Sequence, residues 1–409
     1  MLNPFEKPSH RTAALTFIFI TIILDVLALG IIIPVLPRLI EGFLGNDASQ
    51  AAKIIGLFGS VWAFMQFLCS PILGALSDRF GRRPVILISC FGLGIDYILM
   101  ALAPTLGLLF LGRVISGITS ASIPTAGAYI ADITPLEKRA AGFGMIGAAF
   151  GFGFIVGPAL GGLLGSINVR LPFAFAAVLT LLNGCYGLFI LPESLPATLR
   201  KPFSWQRANP AGAFTLLRSH KELLGLAGVY TLYFLAHQVM PTVFVLYVGY
   251  RYGWNERMTG FSLTAVGIGS VLVQGFLVKR LVARFKERRT MLAGLSIGVV
   301  AFALCGLVTT GDYFWLVVPV FALMGLSGPS IQGLMTRHVG ATEQGQLQGA
   351  TNSLVGATGI LGPAIFSLVF ARFLDSERGL QLPGMPFFVA SAFVFCALLL
   401  AWQVTRTRA

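Results

Sequence analysis

The chain has 409 residues, 56% of them hydrophobic and 11% charged, with a mean hydropathy of +0.82. A soluble globular chain carries roughly 25% charged residues, so lipid must be the solvent for most of this one, and a soluble enzyme or disulfide-built domain is excluded. The imbalance of 29 Lys and Arg against 16 Asp and Glu would suggest nucleic acid in a soluble protein, but here it follows from topology.

A helix needs about 20 apolar residues to cross a hydrocarbon layer of about 30 Å. The polar segment Met1 to Arg11 leads into a first apolar run, Ala13–Leu36, with no Ala-x-Ala cleavage pattern, so it reads as a retained helix. Spans 2 to 6 follow at Ile54–Leu76, Val85–Ala103, Thr105–Ala126, Ala140–Leu164 and Leu171–Leu191. A polar connection runs from Pro192 to Glu222. Spans 7 to 12 lie at Leu223–Val248, Met258–Val278, Thr290–Val308, Tyr313–Met335, Leu347–Phe370 and Pro386–Val404. The expected organisation is an all-α membrane protein with a six-helix bundle over 1–191, a cytoplasmic linker over 192–222 and a second six-helix bundle over 223–409.

With both termini placed inside, the inner loops and termini hold 21 Lys and Arg and the outer loops 7, while Arg113 alone lies within a span. That asymmetry sets orientation and leaves no role for nucleic acid. Cys69, Cys90, Cys185, Cys305 and Cys396 are scattered singly in apolar stretches, a pattern that points to neither disulfides nor a metal site. At an offset of 205 residues, Gly144, Gly151, Gly157 and Pro158 recur as Gly349, Gly356, Gly362 and Pro363, and Leu76, Arg79 and Phe80 recur as Leu281, Arg284 and Phe285. Such parallel repeats bracket a central cavity near the midplane.

The turn after span 2 reads Gly74-Ala-Leu-Ser-Asp78-Arg79-Phe80-Gly81-Arg82-Arg83-Pro84. An acid and three guanidinium groups in a tight turn form charge-assisted bonds that can break and reform as helices move; Asp132, beyond span 4, joins this set as a second acid. The turn resembles the signature of the major facilitator superfamily, whose fold is twelve transmembrane helices in two pseudo-symmetric bundles. The resemblance implies a gating role for Gly74, Asp78, Arg79, Gly81, Arg82, Arg83 and Asp132. In span 5, Gly153, Gly157, Pro158, Gly161 and Gly162 resemble the antiporter motif of that superfamily. There, small residues allow close helix approach and proline removes a backbone bond.

Nearly the whole chain is similar to the tetracycline-exporter branch of the drug:proton antiporters. The matching strings are Leu24-Asp25, Gly30 to Pro37, Gly94-Ile-Asp96-Tyr97, Leu111-Gly112-Arg113, Ser116-Gly117, Arg251-Tyr252-Gly253-Trp254, Gly260-Phe261-Ser262-Leu263 and Gln346-Leu347-Gln348-Gly349. The chain departs from that branch in its second half, where the aspartate typical of span 9 is missing from Leu295 to Ala301 and Ser270 stands at the position of a span 8 histidine.

Asp25, Asp96 and Arg113 stand inside first-half spans, where each charge is unfavourable by about 2.5 to 3.5 kcal/mol on insertion scales. At 1.5 Å per residue, Asp25 and Asp96 lie about 17 Å from the inner ends of spans 1 and 3, and Arg113 about 12 Å from the outer end of span 4. The three therefore approach one depth. Burial favours the neutral acid and a guanidinium the charged one, so alternating exposure can load and release a proton; the three are the proton-coupling candidates. His237, Gln238, Gln274, Gln332, Asn352 and Phe234 are the substrate-binding candidates, polar groups and one ring among apolar walls.

The expected activity is proton-coupled export of small amphiphilic compounds or antibiotics, tetracycline-like among them, by alternating access. The expected partners are a small-molecule substrate, protons and the lipid bilayer. The protein is expected to work without cofactor or metal, as a monomer, in a bacterial inner membrane. Export of an endogenous metabolite or siderophore, nutrient import and a receptor role stay open. An enzyme would need a nucleophile with its base or a metal cluster, and neither pattern is present.

Overall fold

The computed structural model describes residues 8–134, 139–203, 205, 221–340, 343–374 and 381–406. Most of the expected linker, 206–220, lies outside them, as do 1–7 and 407–409. Among the described residues the chain is helical throughout, without strands, as a backbone in lipid requires, since every amide must be satisfied within its own segment.

The helices before the polar connection are α1 (Pro8–Ile32), α2 (Leu36–Phe43), α3 (Ala48–Phe80), α4 (Arg82–Leu102), α5 (Leu106–Thr119), α6 (Ser122–Ile133), α7 (Arg139–Ile167) and α8 (Leu171–Ile190). After the connection come α9 (Lys221–His237), α10 (Val239–Tyr252), α11 (Glu256–Leu272), α12 (Val278–Leu307), α13 (Gly311–Leu323), α14 (Ser327–Thr336), α15 (Gln344–Leu374) and α16 (Met385–Arg406).

Eleven described segments are long and apolar enough to span a bilayer, and one of them, Glu256–Leu307, has 52 residues. At 1.5 Å per residue that is about 78 Å, far beyond a hydrocarbon layer of about 30 Å. The chain reverses inside α12 at Lys286, whose φ of 63° and ψ of 165° leave the helical region, so the segment makes two crossings and the described residues hold twelve.

Spans 1, 4, 7 and 10 are each broken mid-course, into α1 and α2, α5 and α6, α9 and α10, and α13 and α14. Proline accounts for the breaks, because it lacks an N–H and crowds the preceding turn. Pro34 ends α1 at Ile32, and the first span resumes in α2 and runs on to Phe43, past the expected Leu36. Pro124 sits in the first turn of α6, Pro241 just inside α10, and Pro329 just inside α14. Interruptions at matching places in two repeats are the best pointer to a transporter's binding region.

The chain divides into two compact units, one of Met1–Leu39 with Phe64–Pro210, the other of Ile40–Ala63 with Ala211–Ala409. In the first unit α1 and α7 run in close contact. A Cβ at Gly157 would stand 2.7 Å from the Gly30 Cα, and Cβ atoms at Gly153 and Gly161 would likewise meet the α1 backbone at Leu27 and Ile31. Glycine four residues apart on one helix face is therefore what lets two backbones touch, with dispersion as the attraction. In the second unit, the early turns of α3 lie on α15, where Ser49 Oγ donates to the Ala371 carbonyl at 3.2 Å and Ser60 Oγ to the Ile360 carbonyl at 2.7 Å.

Candidate functional site

Every buried Asp, Glu, Lys or Arg among the described residues lies in the first unit: Asp25, Arg82, Asp96 and Arg113. Asp96 on α4 is fully buried, and Arg113 on α5 donates from Nη2 to its Oδ2. Gly112 makes room for the pair, since a Cβ there would stand 2.6 Å from Asp96 Oδ1. Asp25 on α1 is only 6% exposed, yet neither carboxylate oxygen completes a hydrogen bond. The Ser122 hydroxyl, at the start of α6, stands near it. The three residues that sequence placed at one depth thus separate into a closed ion pair and one unpaired acid.

The α3–α4 turn gathers a second group. Arg82 Nη1 meets Asp78 Oδ1 at 2.6 Å, its Nε meets Asp132 Oδ2 at 3.1 Å, and Nη1 also donates to Ser77 Oγ at 2.7 Å. Ser194 Oγ donates to the same Asp132 oxygen at 3.0 Å. Glu193 caps α4, accepting from the backbone N of Arg82 at 2.8 Å and of Arg83 at 3.2 Å. Gly81 turns the chain there at φ 110°, and a side chain at 81 would collide with the Glu193 carboxylate; glycine is the residue that tolerates both conditions. Beneath the turn is a cavity of about 230 Å³ lined by Ser70, Gly74, Asp78, Arg82 and Thr125 among others.

Not all of the gating candidates join this cluster. The Arg79 guanidinium lies over the Phe80 ring at 5.0 Å, and Arg83 Nη2 donates to the Leu188 carbonyl at 2.6 Å. Glu193, Ser194 and Ser77 were missed from sequence. An acid directly after Leu191-Pro192, where a span ends, was the available signal for Glu193.

In the second unit, His237 ends α9 and its Nδ1 lies 2.9 Å from the Tyr233 carbonyl. Because a carbonyl only accepts, Nδ1 carries the proton and Nε2 is left as an acceptor. Rings surround the imidazole: Tyr233 at 4.2 Å, Phe302 at 6.0 Å, Phe234 at 6.2 Å and Phe321 at 6.4 Å between centroids. Gln238 occupies the break between α9 and α10, its Cβ and Cγ against Gly362. Gln332 and Asn352 are joined through Gln348, which sequence placed in a matching string but not among the binding candidates: Gln332 Nε2 donates to Gln348 Oε1 at 3.0 Å, and Gln348 Nε2 to Asn352 Oδ1 at 3.2 Å. Gln274 stands exposed in a π-helical turn, Val273–Leu277, away from these bonds; such turns mark functional positions in helices.

Residues 18–363 match the family model of the Major Facilitator Superfamily. The chain belongs to that superfamily. This facilitator is 39% identical over 370 residues to the class C tetracycline resistance protein of Escherichia coli, covering 90% of the chain and 92% of the relative. It is 38% identical over 362 residues to the class D tetracycline resistance protein of Salmonella ordonez, covering 87% and 89%. These relatives put the facilitator in the tetracycline-resistance branch. Among solved structures, the nucleoside transporter NupG superposes with a TM-score of 0.79 at 15% identity, covering 96% of this chain and all of that one, a likeness of fold. The protein is a multi-pass membrane transporter, not an enzyme.

Proposed function

We propose that this facilitator exports small amphiphilic compounds, tetracycline-like molecules foremost, in exchange for protons. The observation that carries the reading is Asp25: a carboxylate almost wholly withdrawn from solvent, without a hydrogen-bond partner, on a helix interrupted at a proline. An ionised, unpaired carboxylate is strongly unfavourable away from water, so its charge must follow its hydration. A site that is wetted alternately from either side then takes up a proton on one side and releases it on the other. Asp96 and Arg113 hold α4 to α5 as a structural pair. His237, Phe234, Gln238 and the Gln332–Gln348–Asn352 chain recognise substrate, and the α3–α4 turn gates it.

The identity to tetracycline resistance proteins supports the substrate class. The excess of Lys and Arg on one side supports termini on the cytoplasmic side of a bacterial inner membrane. The protein works as a monomer on one small-molecule substrate at a time.

Proteoliposomes holding the purified protein and a pH dye test the assignment. Tetracycline added to wild-type vesicles moves protons, and Asp25→Asn abolishes that movement while still binding drug. Unchanged proton movement in the variant would remove Asp25 from the mechanism.

A further inference from the structure

The sequence repeat of 205 residues carries the α3–α4 turn onto the reversal inside α12, and the two turns share more than the Arg-Phe string. Arg79 stacks over Phe80 at 5.0 Å and Arg284 over Phe285 at 5.5 Å. The next residue reverses the chain with a positive φ in each case, Gly81 at 110° and Lys286 at 63°. One position further, Arg82 pairs with Asp132 and Glu287 pairs with Arg337. Asp132 and Arg337 are themselves separated by the same 205 residues. The tie between the start of one helix and the end of its neighbour is therefore repeated with both charges inverted.

The inversion has an energetic meaning. A helix presents partial positive charge at its N-terminus and partial negative charge at its C-terminus. Glu287 begins the helical stretch after Lys286, and Arg337 caps the C-terminus of α14, so both charges suit their helix ends. Arg82 opens α4 and Asp132 lies one residue before the end of α6, so both oppose theirs. The first unit offsets this with Asp78 beside Arg82 and with Glu193 on the α4 amides. Ala283 stands where the repeat would put a second Asp78, so Glu287 has no competing acid there. Arg288, the repeat of Arg83, adds a tie from Nε to Thr405 Oγ1 on α16 at 3.0 Å.

We infer that Glu287 and Arg337 form a permanent clamp on the second unit, holding α12 to α14 throughout transport, as the sign-inverted counterpart of the releasable Arg82–Asp132 latch. The clamp also fixes Lys286 in a backbone conformation that a side chain opposes. The assignment concerns the transporter proposed above, but its first test reads stability and does not depend on the substrate.

Glu287→Arg and Arg337→Glu each lower the melting temperature of the purified protein. Combined, they recover most of it, falling short of wild type because both charges then oppose their helix ends. The matching double reversal, Arg82→Glu with Asp132→Arg, recovers nothing, since Asp78 then faces an acid. Glu287→Gln supplies a milder variant should the reversals fail to accumulate, and it lowers the melting temperature while leaving drug affinity unchanged.

Permanence is tested with Glu287→Cys and Arg337→Cys in full-length protein whose five natural cysteines are replaced. A short bifunctional thiol reagent bridges the pair in membranes, and the bridged protein transports as fast as the same variant unbridged. No recovery by the double reversal overturns the pairing. Failure to bridge overturns adjacency in the membrane, and loss of transport on bridging overturns the permanent clamp.

Discussion

The two units handle polarity in opposite ways. The first buries all four of the described chain's buried charges, three of them in ion pairs and one, Asp25, without a hydrogen bond. The second fills its broken helices with amides, one imidazole and many rings, all neutral or able to be so. A buried charge is tolerated only beside its partner or as a proton-binding group, whereas amides and rings recognise many ligands at small energetic cost. The difference suits a division of labour in which the first unit responds to protons and the second to the cargo.

The largest effect expected from breaking this contrast is at Arg113. Arg113→Leu leaves Asp96 buried and unpaired, which destabilises by about 3–5 kcal/mol, read as loss of monodisperse protein after extraction. Adding Asp96→Asn to it returns most of the yield. If Arg113→Leu alone accumulated normally, the pair would not be structural.

A smaller loss is expected where the charged unit is held together by close helix contact. Gly157→Ala forces a methyl group against the Gly30 backbone, and overpacking of this kind costs about 1–3 kcal/mol. The measurement is a thermal melt; an unchanged midpoint would mean that α1 and α7 can separate freely.

His237 sharpens the comparison from the other side. His237→Phe removes one acceptor from the aromatic surround, a loss of roughly 0.5–1.5 kcal/mol, so drug Kd rises by up to about tenfold while proton leak in the absence of drug is unaltered. A change in leak without a change in Kd would move the proton function into the second unit.

The smallest effect is at Asp47, outside the spans. The carboxylate accepts from Gln50 N at 3.0 Å, Gln50 Nε2 at 2.9 Å and Ser49 N at 2.9 Å, and these bonds, the Gln50 backbone bond first among them, hold its carboxyl below the usual range. A lowered folded value means that the stability it contributes is present above the unfolded value of about 3.9 and disappears as pH falls below it. Asp47→Asn should therefore flatten the acid side of a melting temperature against pH curve by a small margin, since the group is solvated.

The linear chain carried several of these features in plain view. The DRFGRR string in the turn after span 2, the Gly-x-x-x-Gly-Pro pattern of span 5 and Asp25, Asp96 and Arg113 could all be read from residue type and spacing. What could not be read was which acid had a partner, since Asp25 and Asp96 sit at similar depth on their helices and differ only in what the neighbouring helix brings to them. The bridging role of Gln348 and the capping role of Glu193 could not be read for the same reason, being set by Gln332 and by the α4 amides across a helix boundary.

By itself the sequence determined the solvent, the number of crossings, the repeat and the superfamily. These follow from hydrophobic length and residue identity, quantities that run along one dimension. Tertiary structure alone decided the closure of Asp96 on Arg113, the isolation of Asp25 and the inverted pairing of Glu287 with Arg337, because each depends on how a helix is rotated about its axis against the next, and no one-dimensional pattern encodes that angle.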